Sequence, residues 1–265
     1  AAFYEEAAAR ETNGPRRAEQ LLKAAALYKD RAGRPHEAAA ALLAARASSP
    51  DDESLTAKVA DQLSELGRHQ DAADSDALLL EKDPFHASFE RHREYLAGAD
   101  DEQSLAQLLS RRAEREHGDV AAARWLEAAA AFRRAGATER AQICEAQAFE
   151  AAPQNHEAFQ SLLEQAANEP RRRAELMSAR ARAVPGEASL LLKRRAETLD
   201  DARETLLAAA AWDDYLALVA DDFTALERRG DLAFDGGGAR AAQPYDRKLV
   251  QLGADGLAGV TRLKL

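Results

Sequence analysis

The sequence predicts an all-α chain of antiparallel helix hairpins, an α-solenoid, and three observations carry that prediction. First, glycine, alanine and proline recur at one period: Gly33 and Gly67, Ala38 and Ala72, and Pro50 and Pro84 are each 34 residues apart. Each mark has its own physical job. Glycine permits a tight turn between helices, alanine permits a close helix crossing, and proline ends the second helix. Second, Ala122 to Pro153 reads as two short helices around Gly136. Trp125, Ala128, Ala129 and Phe132 fall three or four apart, so they share one helical face; Ala141 and Ala148, seven apart, share a face of the second helix. Third, 46% of the residues are hydrophobic but only 6% are aromatic. Much of the apolar content is alanine, which suits close-packed helices and leaves little for a sheet core. One such hairpin cannot bury its own apolar face, so it needs a copy on each side.

In order along the chain, Ala1 to Thr12 reads as the end of a helix, broken at Asn13-Gly14-Pro15. A helix is expected over Gln20 to Ala32, a turn at Gly33-Arg34-Pro35, and a second helix over His36 to Ala47. The next unit repeats that plan. Phe85 to Asp119 is a weaker copy, with one helix through Phe89, His92 and Tyr95 and another through Leu105, Leu108 and Leu109. The Trp125 unit follows, and then a shorter unit to Pro185, with Phe159, Leu162, Leu163 and Ala166 on its first apolar face and Pro170 near its turn. These units span about 19–52, 53–86, 87–121, 122–155 and 156–185 within an array over 1–185. The period is lost over 186–222, which reads as an irregular helical segment. Leu190-Leu191-Leu192 is assigned to one helix, Leu206-Leu207 to another, and Trp212 to Val219 to a third short one. Phe223 onward restores the pattern over 223–265, with Pro244 inside its second helix, where it removes a hydrogen bond and bends the axis. Leu257 to Leu265 starts one more helix, so the sequence is expected to be a segment of a longer protein.

The net charge of −10 opposes binding to a phosphate backbone, so no nucleic-acid partner is expected. No run approaches 18 apolar residues, so no membrane insertion is expected. The one cysteine, Cys144, excludes an intramolecular disulfide and reads as a small packed side chain. A cytoplasmic location is favoured without being fixed. The six histidines form no HExxH pattern, so no metal site is expected. Gly236-Gly237-Gly238 lacks the spacing of a phosphate loop and reads as an interhelix turn. The acidic pairs Asp100-Asp101, Asp200-Asp201, Asp213-Asp214 and Asp221-Asp222 read as helix caps. Trp125 reads as a packing residue, and Trp212 leaves a partner contact open. No catalytic constellation is found, and no cofactor is implied.

The combined marks resemble the tetratricopeptide repeat (TPR) family. Trp125, Ala129, Gly136, Ala141, Ala148 and Pro153 match its motif, as do Gly67, Ala72 and Pro84, and Gly33, Ala38, Ala45 and Pro50. Gly230, Gly237 and Ala242 match a late copy that has Ala254 in place of the proline. The resemblance implies a right-handed superhelix whose concave face is lined by the first helix of each pair and holds a protein or peptide partner. The groove positions it implies are Lys23, Arg31, Asp61, Glu65, Leu126, Arg133, Arg134, Gln160, Asn168, Glu227 and Asp231. The Lys, Asn and Arg residues among them are not arranged across adjacent units as a clamp for a terminal carboxylate. The late positions are acidic and fit a basic or neutral segment. The function expected is a non-catalytic protein-interaction scaffold, whose partner could be another domain of the same chain. The alternative is the regulatory or sensor array of a larger enzyme. Partner identity and oligomeric state are left open. If the hairpin register is right, Ala141→Leu overpacks the helix crossing and lowers stability by about 1–3 kcal/mol in chemical denaturation.

Overall fold

The computed structural model describes residues 1–253. Among them are fourteen α-helices and no strand. The chain forms two compact units, one of Ala1–His117 with Glu127–Ala141, the other of Gly118–Leu126 with Gln142–Leu265. The expectations for Ala254 and for Leu257 to Leu265 lie outside the described residues.

The first unit starts with α1 (Ala2–Arg10) and α2 (Gly14–Leu27). A π-helical turn, Tyr28–Ala32, extends α2, and α3 (Pro35–Ser48) returns antiparallel to it. Then come α4 (Glu53–Glu65) with α5 (His69–Lys82), and α6 (Phe89–Gly98) with α7 (Glu102–Ala113). α8 (Gly118–Arg134) and α9 (Thr138–Ala151) each contribute to both units. α2 begins before the expected Gln20 because the Asn13 side chain accepts from the Arg16 amide at 3.1 Å, with Pro15 in the first turn. Asp52 and Asp101 cap α4 and α7 in the same way, at 2.9 and 3.0 Å. Ala24 and Ala25 of α2, Leu42 and Ala45 of α3, and Val59 and Leu63 of α4 share one buried cluster. The first helix of one hairpin thus closes the core of the hairpin before it.

The turns show what sets the period. At Gly67 and Gly136 the backbone is left-handed, with φ of 70° and 75°. The amide after each turn residue bonds five residues back, Arg68 to the Leu63 carbonyl at 2.9 Å and Ala137 to that of Phe132 at 2.8 Å. This is the Schellman arrangement, which satisfies carbonyls left over at a helix C-terminus. The α6–α7 turn uses the same bond, from Asp101 to Leu96 at 3.0 Å, but its left-handed residue is Asp100, with φ of 53°.

The second unit holds α10 (His156–Gln165), α11 (Pro170–Ala183), a 3-10 turn at Pro185–Glu187, α12 (Ala188–Asp201), α13 (Thr205–Leu218) and α14 (Phe223–Gln251). The expectation of an irregular segment over 186–222 is corrected. α12 and α13 form one more antiparallel hairpin, and Trp212 to Leu218 is the second half of α13. Its turn carries the same Schellman bond, Glu204 to the Leu199 carbonyl at 2.9 Å, around Arg203 with φ of 60°. Trp212 is 2% exposed, packs edge-on against Tyr215, and donates its indole N–H to Asp200 at 3.4 Å. That removes it as a partner contact. The capping reading is also corrected in part. Asp101 and Asp222 are caps, whereas Asp200-Asp201 ends α12 and Asp213-Asp214 lies inside α13. Trp125 and Cys144 are buried, as packing residues should be.

α14 is broken at Gly238, with φ of 71° and ψ of −170°. A continuous helix would hold Arg229 and Tyr245 about 24 Å apart. Instead the Arg229 guanidinium lies 4.7 Å from the Tyr245 ring centre, and Leu226 and Leu249 share one buried cluster. The chain therefore reverses at the glycine run, one residue beyond Gly237, and Pro244 sits in the returning arm.

Asp222 joins three of these helices. It caps α14 at the Ala225 amide (3.0 Å), accepts from Lys193 of α12 at 2.8 Å and from Tyr215 of α13 at 2.8 Å. Burial alone would raise its carboxyl pKa; the bonds from Lys193, the Ala225 amide and Tyr215 outweigh that and hold it below the ordinary value of 3.8.

Two outcomes are expected. Gly67→Ala costs about 1–2 kcal/mol in denaturant unfolding although a Cβ there meets nothing within 4 Å, because the cost is backbone conformation alone. A group whose pKa falls on folding stabilises the native state above its unfolded pKa and loses that contribution as pH drops through the folded value. The stability gap between wild type and Asp222→Asn is therefore largest near neutral pH and closes below pH 3.8, as read by melting across pH.

Candidate protein-binding groove

The groove positions implied by the resemblance fall on both units, and many are engaged within the chain. In the first unit Lys23 pairs with Glu19 at 2.7 Å and Glu65 with Lys29 at 2.6 Å. Asp61 accepts from Arg91 at 2.5 Å, while Arg91 also forks onto the buried Asp76 at 2.6 and 2.7 Å. Arg134 makes a bidentate pair with Glu102 at 2.6 and 2.8 Å. Arg31 and Arg133 are exposed. In the second unit Leu126, Glu227 and Asp231 are half-buried and Asn168 is exposed. Gln160 lines a groove.

That groove has a volume of about 380 Å³ and lies between α10 and α12, with α11 contributing its floor. The local sequence explains its walls. Asn155 caps α10 at the Ala158 amide (3.0 Å). Phe159 stacks on Phe149 with ring centres 6.0 Å apart and is covered on another side by the Arg180 guanidinium at 4.9 Å. With Phe159 fixed, Gln160, Leu163 and Glu164 fall on one face of α10 and, with Ala167 in the turn just beyond it, open into the groove. Arg173 and Met177, one turn apart on α11, and Leu191 and Arg194 on α12 complete it. Apolar walls thus alternate with an amide, a carboxylate and two guanidinium groups.

The two arginines differ from their neighbours. Arg171 forks onto Glu204 at 2.8 and 2.9 Å, and Arg195 reaches Asp214 at 2.5 Å. Arg180, with 4% of its side chain exposed, binds Glu187 at 2.7 and 3.1 Å and the carbonyls of Gln154 and Asn155. The Arg173 and Arg194 side chains make no hydrogen bond or ion pair with the described residues. The Arg173 Nε is buried without a hydrogen-bond acceptor.

Of the positions implied by the resemblance, Gln160 lines this groove; Arg173 and Arg194, which also line it, are not among them. Arg173 lies on the second helix of its hairpin, outside the positions that the resemblance counts as groove. In the run Arg171-Arg172-Arg173, Arg172 pairs with the nearby Glu169, Arg171 with Glu204 a hairpin away, and Arg173 with neither. The acidic character expected for the late positions therefore does not extend to this groove. Among the described residues no His, Cys, Asp and Glu cluster could hold a metal ion, and no helix is long and apolar enough to cross a membrane.

No protein-family model matches the chain, and no curated protein matches it. Similar solved structures include a tetratricopeptide repeat protein from Parabacteroides merdae, 14% identical over 93% of this chain and 97% of that one, with a TM-score of 0.30. Another is the C-terminal part of a TPR repeat-containing protein from Cytophaga hutchinsonii, 13% identical over 86% and 92%, with a TM-score of 0.32. A third is pilF of Pseudomonas aeruginosa, 14% identical over 93% and 96%, with a TM-score of 0.27. Superposition at these scores carries no argument, and the fold stands on the helices and turns described above. The chain is an all-α helical repeat that resembles tetratricopeptide repeat proteins.

Proposed function

We propose that the chain is a non-catalytic scaffold that holds an extended segment of a protein partner in the groove between α10 and α12. The observation that supports this is the groove itself. Its walls combine apolar side chains with two cations that the chain does not use internally. The α10 wall from Gln160 to Glu164 covers about 6 Å of helix, which matches about two residues of extended peptide. Gln160 can donate to and accept from a peptide backbone, and Leu163, Met177 and Leu191 offer apolar contact. Most implied groove positions of the first unit with a known role are tied into ion pairs, which makes them poorer recognition elements.

The test places a photo-crosslinking residue at position 160 of the full chain, identifies the captured protein, and measures its affinity directly. Leu163→Asp puts a charge on the apolar wall and should weaken that affinity by about ten-fold or more, with the far-ultraviolet circular dichroism unchanged. Equal affinity for the variant would remove the groove as the binding site.

A further inference from the structure

We infer that the groove between α10 and α12 selects an acidic partner segment, one with an aspartate or glutamate side chain flanked by apolar residues. The inference rests on the reading of this groove as the binding site. α11 and α12 together contain seven arginines, and four of them, Arg171, Arg172, Arg180 and Arg195, are in ion pairs. Arg182 lies elsewhere, in a groove it shares with Arg195 and Asp214. The remaining two, Arg173 and Arg194, come from different helices and converge on the same groove. What sets these two apart is that they line one groove together, on neighbouring helices, without a carboxylate partner.

The chemistry favours a carboxylate on a peptide over other anions. A planar guanidinium matches a carboxylate in a two-point fork, and a partly desolvated site strengthens that pair. The Arg173 Nε is withdrawn from water, and a low local dielectric strengthens an ion pair made by that guanidinium. Glu164 lies in the same groove and opposes a more highly charged group, and the acidic chain as a whole repels a polyanion. Leu163, Met177 and Leu191 require apolar neighbours on either side of the acid.

The experiment pans the full chain against a library of random 12-residue peptides displayed between two folded domains, so that no free C-terminus is offered. Enriched peptides should carry an aspartate or glutamate beside apolar residues. One is then synthesised with blocked ends and its binding followed by fluorescence anisotropy. Changing its acid to the amide, and Arg194→Gln in the protein, should each weaken binding about ten-fold, and together little more than either alone. Arg173→Gln should act alike while circular dichroism stays unchanged; Arg194, being exposed, keeps the test valid if Arg173→Gln impairs folding. Enrichment of neutral or basic peptides overturns the inference, as does Arg194→Gln binding equally well. So does a single-stranded DNA oligonucleotide that displaces the peptide through the same arginines. If Leu163→Asp abolishes binding while Arg194→Gln does not, the groove stands and acidic selection fails. If neither variant has an effect, or no peptide is enriched, the groove reading itself fails.

Discussion

The alanine contact at each hairpin crossing is the constraint on which the structure depends. Helices approach closely only where the side chains between them are small. Ala38, Ala45, Ala72, Ala141, Ala148, Ala196 and Ala208 are all nearly inaccessible to solvent. An alanine crossing buries little apolar area, so a single hairpin has too small a core to hold itself. The larger side chains Leu42, Leu63, Phe89 and Trp212 make up the difference. Leu42, Leu63 and Trp212 lie in clusters drawn from more than one hairpin, as Leu42 of α3 does with Leu63 of α4. Each hairpin is thus shaped by its own alanines and held by its neighbour's leucines and aromatics.

Charge is organised by the same geometry. Surface ion pairs contribute little individually, and those described here act mainly to settle which cations are occupied. Two pairs with one buried partner, Arg91 with Asp76 and Arg180 with Glu187, tie α6 to α5 and α11 to the turn that follows it. Asp222 does so for three helices at once, with Lys193, Tyr215 and the start of α14 converging on one carboxylate. The two guanidinium groups that line the α10–α12 groove without a carboxylate partner carry information that a count of basic residues does not.

The hairpins with glycine turns were legible in the sequence because glycine, recurring once per period, coincides with the left-handed turn residue at Gly33, Gly67 and Gly136. The α12–α13 hairpin was not legible, since Arg203 takes the same conformation without announcing it. With that mark missing, the leucine run of α12 and the apolar residues of α13 had no frame, and one helix was divided into two. Asp100 posed the same problem in α6–α7, where Leu105 and Leu109 still gave a helical period. The groove was only partly legible. Repeat motifs specify the residues that pack, so they pointed to Gln160 by position. Whether an arginine is paired depends on acids a whole hairpin away, as with Arg171 and Glu204, and no local pattern records that.

Several pairs span close to one repeat. Lys29 and Glu65 are 36 residues apart, Arg93 and Glu127 34, Glu102 and Arg134 32, and Arg171 and Glu204 33. Such spacing bears on how a chain of this kind changes length in evolution. Loss or duplication of a complete hairpin disturbs pairing only at the joint and leaves the pairs on either side intact. An insertion of two or three residues within a helix turns everything beyond it by about 100° per residue and separates partners along the rest of that element. Recombination in whole repeats is therefore the mild route to a longer or shorter chain, and the salt bridges act as a proofreading mark against any other.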